Sequence, residues 1–418
     1  MTFNGRNYTL RCVEGGEEIE ERYTLSCPNG HRGLLRASYK AKQLTVGPED
    51  NVFRFKDWLP VSQTFPTKAG PVAFRSEGLS KELGLRDLWV GFTGYYPERN
   101  AYAVSGSFKE LEALPTYARL SDFSDDSVVI ASAGNTARAF AEVGNDIGRR
   151  CVVVVPESAA DGMRITKDNG LATLIAVKGD YADAIAVADR IAKMDGYVPE
   201  GGAKNIARRD GMGTVMLEGA VKAGRLPDHY FQGVGSGTGG IAAWEASMRL
   251  VADDRFGDRL PRLELAQNEP FTPMAKAWEV GRREILPEDL GKEGDVFEVY
   301  ADVLTNRKPP YGIPGGVYDA MKDTDGRFHT ATNAEAKEAV KLWDSVESTD
   351  INPAATVALA TLIRAIDEKE VDPGSCILLN VTGGGIARAR EDFDMQKVPV
   401  KAVMSKDADE DELKEVLA

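Results

Sequence analysis

Residues 127–156 read SVVIASAGNTARAFAEVGNDIGRRCVVVVP, and this stretch decides the fold. Its two ends, 127–132 and 151–156, are short, nearly continuous β-branched apolar runs, the signature of strands buried on both faces. Between them apolar residues recur at helical spacing, with Asn and Thr at the start and Gly at the end. Strand, helix, strand at this spacing predicts a parallel pair joined by a right-handed crossover. The alternation continues outward. A helical stretch is expected at 162–169, a strand at 173–179 and a helix at 181–194. Further on, HYFQGVG (229–235) reads as a strand entering a glycine turn, 241–254 as the helix after it, and 262–269 as another strand. Residues 352–369 read as a helix with Asn352 as N-cap and Pro353 in its first turn. SCILLNVTGGG (375–385) is a final buried strand ending in glycines.

The alternation predicts an α/β protein with mostly parallel, doubly wound sheets. At 418 residues, two such sheets fit the length better than one. The expected division is a small β-like segment at 1–45, a larger α/β domain from 46–118 and 232–402, a smaller one at 119–231, and a charged tail at 403–418.

Composition narrows the function. Lys and Arg number 51 against 65 Asp and Glu, a net charge of −14, which repels nucleic acid and anionic lipid. No apolar run reaches the roughly 20 residues of a membrane helix. Residues 1–20 are polar and acidic, unlike a secretory or transit segment, so a cytoplasmic protein with small-molecule partners is expected. The four cysteines suggest no disulfide framework, and Cys151 and Cys376 sit in strand-like apolar runs.

Four segments carry candidate chemistry. In SGSFKE (105–110), Lys109 sits at a helix start beside Phe108, where partial desolvation favours a nucleophilic amine. ASAGNTA (131–137) lies at a strand's carboxyl end, where Ser132, Asn135 and Thr136 can present donors to an anion. GVGSGTGG (233–240) has five glycines between strand and helix and suits a phosphate. Gly235, Gly237 and Gly240 also match a dinucleotide fingerprint, but the next strand's terminal acid, Glu269, lies too far along for the ribose contact, and a nicotinamide dehydrogenase leaves the other segments unexplained. NVTGGG (380–385) offers the neutral hydroxyl of Thr382.

In this order the four segments resemble the fold-type II pyridoxal-phosphate enzymes, over roughly residues 60–390. YTLRC (8–12), CPNGH (27–31) and NIARRDGMGT (205–214) are most similar to the threonine synthase family. The resemblance implies pyridoxal 5′-phosphate in the cleft between two α/β domains, carried by Lys109. Asn135 would hold the ring's 3′ oxygen and Thr382 would face the ring nitrogen. Gly233, Gly235, Ser236, Gly237, Thr238 and Gly239 would cradle the phosphate, and Ser132, Asn135 and Thr136 the substrate carboxylate.

Threonine synthases follow the lysine with Asp-Arg, whereas this chain reads Lys109-Glu110-Leu111-Glu112. That variant resembles a methanogen branch of the family that replaces the phosphate of O-phospho-L-serine with sulfite, giving L-cysteate for coenzyme M. Threonine synthesis from O-phospho-L-homoserine, cysteine synthesis with sulfide, and a binding protein that merely keeps the cofactor pocket are the alternatives. Both implied substrates are anions, so a local basic patch is expected, with Arg138, Lys204, Arg208 and Arg209 as candidates. The resemblance also implies a homo-oligomer. Related chains often carry a zinc ribbon near the N-terminus. Here Cys12, Cys27 and His31 supply three of the four ligands a structural zinc needs, with Gly15 and Gly16 where a partner cysteine would stand. The segment therefore reads as a decayed ribbon, and no metal is expected.

Overall fold

The computed structural model describes residues 5–292 and 294–418. The stretch 127–156 folds as strand Ser127–Ala131, helix Asn135–Ile147 and strand Cys151–Pro156. These strands lie in a five-stranded, all-parallel sheet ordered Tyr197–Pro199, Ser127–Ala131, Cys151–Pro156, Ala172–Lys178, Val400–Ser405. A second sheet has six strands, ordered Arg327–Ala331, Arg262–Asn268, His229–Gly233, Cys376–Val381, Asp87–Phe92, Val72–Arg75. Its first five strands run parallel and the last is antiparallel. Every residue of Cys151–Pro156 and of Cys376–Val381 is buried, as expected of central strands with helices on both faces.

A three-stranded antiparallel sheet, Glu18–Ile19, Tyr8–Cys12 and Leu35–Tyr39, forms the N-terminal segment. It is held to the six-stranded unit by buried polar contacts. The Tyr39 hydroxyl donates to Asp210 at 2.5 Å, and the Arg36 Nε to Glu245 at 3.1 Å. Helix Pro353–Asp367 starts as its sequence dictates, with the Asn352 side chain accepting from Ala355 N at 2.9 Å and Pro353 in the first turn.

Three expectations are corrected. Residues 162–169 form no α-helix: a 3-10 turn, Glu157–Gly162, leads into a short strand, Arg164–Ile165, paired antiparallel with Gln396–Lys397. The apolar residues that this segment buries, Met163 and Ile165, are two apart, which is strand and not helix periodicity. The smaller unit does not extend to residue 231. Helix Ile206–Ala223 packs on the six-stranded sheet, and His229–Gly233 is one of its central strands, because strand partners are chosen across the chain and not by adjacency. The charged tail at 403–418 is not a separate element but part of the smaller unit. Val400–Ser405 completes the five-stranded sheet, and helix Glu410–Leu417 docks through fully buried Leu413. Among the described residues no helix is long and apolar enough to cross a membrane.

Candidate active site

Both sheets place a motif at a switch in strand order. From Ser127–Ala131 the chain builds outward through Cys151–Pro156 and Ala172–Lys178, then returns to put Tyr197–Pro199 on the other side. From His229–Gly233 it builds toward Arg327–Ala331, and Cys376–Val381 returns on the opposite flank. Ligands of open α/β sheets bind in the crevices at such strand carboxyl ends. The ends here carry ASAGN, the glycine turn and NVTGGG.

Backbone hydrogen bonds bring the segments together. Phe108 N donates to Thr382 O at 3.0 Å, and Gly384 N to Gly106 O at 3.1 Å. Asn352 N donates to Gly383 O at 2.9 Å. A Cβ at Gly383 would stand 2.4 Å from Gly106 O and 2.3 Å from the Asn352 amide, so close approach of three segments requires glycine there. From the other sheet, Arg138 Nη1 reaches Ser105 O at 3.4 Å, which bridges the two units across the lysine segment.

Lys109 opens helix Lys109–Ser121. Its side chain is 20% exposed, and its ammonium lies 4.7 Å from the Phe108 ring centroid and pairs with fully buried Glu112. Glu112 in turn accepts from Arg208, whose Nε lies 2.6 Å away, and Arg208 also pairs with Glu200. The result is a charge chain, Lys109–Glu112–Arg208–Glu200. The Arg208 guanidinium is held above its ordinary pKa: burial opposes the charge, and the two carboxylates outweigh that.

At the glycine turn, Gly237 has φ +75° and caps the sixteen-residue helix Thr238–Asp253. A Cβ on it would stand 2.5 Å from Val317. Ser236 Oγ accepts from Thr238 N at 3.3 Å and lies 2.9 Å from the Thr238 hydroxyl. In the other wall, Ser132 Oγ accepts from Gly134 N at 3.2 Å, and Asn135 is the first residue of its helix. The buried hydroxyl of Ser107, on the lysine segment itself, has no partner within the described chain, as a donor kept for a ligand would be. Together these groups suit pyridoxal phosphate. They comprise a primary amine for its aldehyde, an amide for its phenolic oxygen, hydroxyls for its ring, and a glycine turn at a helix N-terminus for its phosphate.

The basic candidates separate. Arg138 is half-buried at the cleft, and its pKa is lowered by burial and by the nearby Arg390. Lys204 is exposed in a 3-10 turn. Arg209 is not brought to the site: it is 1% exposed, and its guanidinium is spent on Glu245, Ala203 O and Leu35 O, where it fastens the N-terminal sheet. Arg208 faces the lysine but is engaged by two carboxylates. Sequence reasoning missed Glu112, whose signal was only a position three residues after the lysine on a helix. It also missed Arg390, in the helix that follows the NVTGGG segment.

Behind the lysine, Glu110 folds back onto Ser105 N. Burial pushes its carboxyl up to about 8 from the ordinary 4.5; the Ser105 hydrogen bonds oppose this, and Glu142 and Asp146 add to it. The unfolded chain then ionises first, so this group's contribution to stability is full below about 4.5 and is lost as pH rises through about 8. Glu110→Gln keeps an acceptor for Ser105 N and removes the titration. We expect its Tm to match the wild type in acid and exceed it above pH 8. Parallel Tm curves across that window would mean that Glu110 is already ionised in the folded chain.

Comparison with known proteins agrees with this geometry. The model of the family described as pyridoxal-phosphate dependent enzyme matches residues 68–383, the class that fold and site define. The processed form of threonine deaminase isoform 2 from Solanum lycopersicum superposes with a TM-score of 0.56 at 16% identity, covering 91% of this chain and 97% of that one, a likeness of fold. The cysteate synthase of Methanocorpusculum labreanum is 53% identical over 399 residues, 94% of this chain and 97% of its own length. That of Methanosarcina barkeri is 50% identical over 414 residues, 98% and 99%. The chain belongs to the cysteate synthase family of pyridoxal-phosphate dependent enzymes.

Proposed function

We propose that the chain exchanges the phosphate of O-phospho-L-serine for sulfite, forming L-cysteate and inorganic phosphate. The observation that supports this reading is the docking of the lysine segment on NVTGGG, with Arg138 of the ASAGN helix reaching Ser105, in a chain that matches cysteate synthases along nearly its whole length. The Cα–H bond and the Cβ–O bond to phosphate break, a Cβ–S bond to sulfite forms, and the proton returns to Cα. Bound in the cleft, pyridoxal phosphate supplies the electron sink that tolerates negative charge at Cα. Lys109 takes and returns the Cα proton as general base, and Glu112 pairs with its ammonium. Thr382 offers the ring nitrogen a neutral hydroxyl in place of a charge. This suits a reaction whose good β leaving group departs without a long-lived carbanion. Ser132, Asn135 and Thr136 hold the substrate carboxylate at the helix N-terminus.

Arg138 and Arg390 are the anion site in this reading. Phosphate or sulfite bound between them would relieve the repulsion that lowers the Arg138 pKa, and the pair offsets the −14 background locally. The wider reading is a cytoplasmic homo-oligomer. Four free, buried cysteines support a reducing compartment, and strongly exposed Val280 and Phe297 offer apolar surface to a second copy.

The test is a product assay with O-phospho-L-serine and sulfite, sulfide or water, and separately with O-phospho-L-homoserine. Cysteate with stoichiometric phosphate release is expected to dominate. Faster formation of cysteine or threonine would overturn the assignment.

A further inference from the structure

The N-terminal sheet carries a cluster that the catalytic chemistry does not use. Cys12 ends one strand, Glu17 precedes the next, and Cys27 and His31 lie in the irregular stretch, residues 20–34, that leads to Leu35–Tyr39. One donor atom from each of the four lies within 4.8 Å of the other three. We propose that Cys12, Glu17, Cys27 and His31 bind one structural zinc ion, with Glu17 as the ligand that the sequence reading lacked.

The distances argue for a common centre. Zinc bonds of about 2.3 Å to sulfur and about 2.0–2.1 Å to nitrogen put sulfur and nitrogen about 3.5 Å apart along a tetrahedral edge. Cys12 Sγ and Cys27 Sγ each lie 3.5 Å from His31 Nδ1. Glu17 Oε1 lies 3.2 Å from Cys27 Sγ and 2.9 Å from Nδ1, within about half an ångström of the two corresponding edges, and the other two edges are no longer than 4.8 Å. Hydrogen bonding alone does not account for this. An imidazole nitrogen has one proton or one lone pair, yet two sulfurs and an oxygen crowd around this one. A metal coordinated by all four accounts for the crowding.

The surroundings are built to match. A Cβ at Gly15 would stand 1.9 Å from Glu17 Oε2 and 2.3 Å from His31 Cε1. The residue standing where a partner cysteine was expected is therefore the one that leaves room for the carboxylate. Gly15 N donates to Cys12 Sγ at 3.4 Å, and Asn29 Nδ2 to Glu17 Oε1 at 2.9 Å, which orients a thiolate and a carboxylate as outer-shell groups do. The two cysteines are buried, while the His31 and Glu17 side chains are 36% and 28% exposed, so an ion can enter from that rim. The site would staple a stretch with little regular structure. That stretch supplies Glu21, whose carboxylate lies 2.9 Å from the fully buried Arg119 of the lysine helix.

The test uses the full-length holoenzyme. Purified from zinc-supplemented medium, it should retain about one zinc ion per chain by elemental analysis. After chelation its Tm should fall and recover on adding zinc chloride. Cobalt chloride added to the chelated chain should give the visible bands of tetrahedral thiolate-bound cobalt, a readout that does not depend on a variant folding. Cys27→Ser and His31→Ala should lose the metal, and Glu17→Gln should weaken its retention. Absence of both zinc and cobalt bands would overturn the proposal. So would zinc retained undiminished in Cys27→Ser or His31→Ala, while unaltered retention in Glu17→Gln would overturn the four-ligand set.

Discussion

Lys109→Ala is expected to lower the rate of phosphate release from O-phospho-L-serine about a thousandfold or more, since in the proposed reaction it removes both the group that carries the cofactor and the base at Cα. The fold should tolerate the change. Lys109 is partly exposed, and its partner Glu112 keeps Arg208 when the ammonium is gone, so no buried charge is orphaned. Borohydride should fix the cofactor to the wild-type chain and not to the variant, which separates loss of attachment from loss of structure. Turnover within tenfold of wild type, or cofactor still fixed in the variant, would remove Lys109 from its role.

The second large effect distinguishes the two classes of arginine. Arg138→Ala should raise the KM for O-phospho-L-serine about ten- to hundredfold at low salt, corresponding to a charge-assisted hydrogen bond of about 1.5–3 kcal/mol. The difference should shrink at high salt, where the attraction in the wild type is itself screened. Arg209→Met should behave in the opposite way. It strips Glu245 of its fully buried partner and leaves it only the partly exposed Arg36; losing a buried pair costs at most about 3–5 kcal/mol, so Tm should drop while the KM of the folded fraction stays put. If Arg209→Met raised KM without a loss of Tm, the anion site would lie on that side of the cleft and Arg138 would not be part of it.

The amino-acid sequence by itself determined the α/β class, because buried parallel strands are continuously apolar, and SVVIA, CVVVV and CILLNV are short, rich in β-branched residues and alternate with helical stretches. It also marked the lysine segment, ASAGN, the glycine turn and NVTGGG, since turns at strand ends demand glycines and small polar residues whatever surrounds them. Pairing across the chain was decided only in three dimensions. Nothing local in Val400–Ser405 says that it runs beside Ala172–Lys178, or in His229–Gly233 that it leaves the unit preceding it. The fate of each charge was decided there too. Arg208 and Arg209 are neighbours on one helix with the same local chemistry, yet one faces Glu112 beside Lys109 and the other Glu245 beneath the N-terminal sheet. Adjacent helical positions point about 100° apart, and what each meets depends on helices and strands far away in sequence. Glu17 shows the same limit: its carboxylate joins Cys12, Cys27 and His31 only because the hairpin and the following loop fold onto one point.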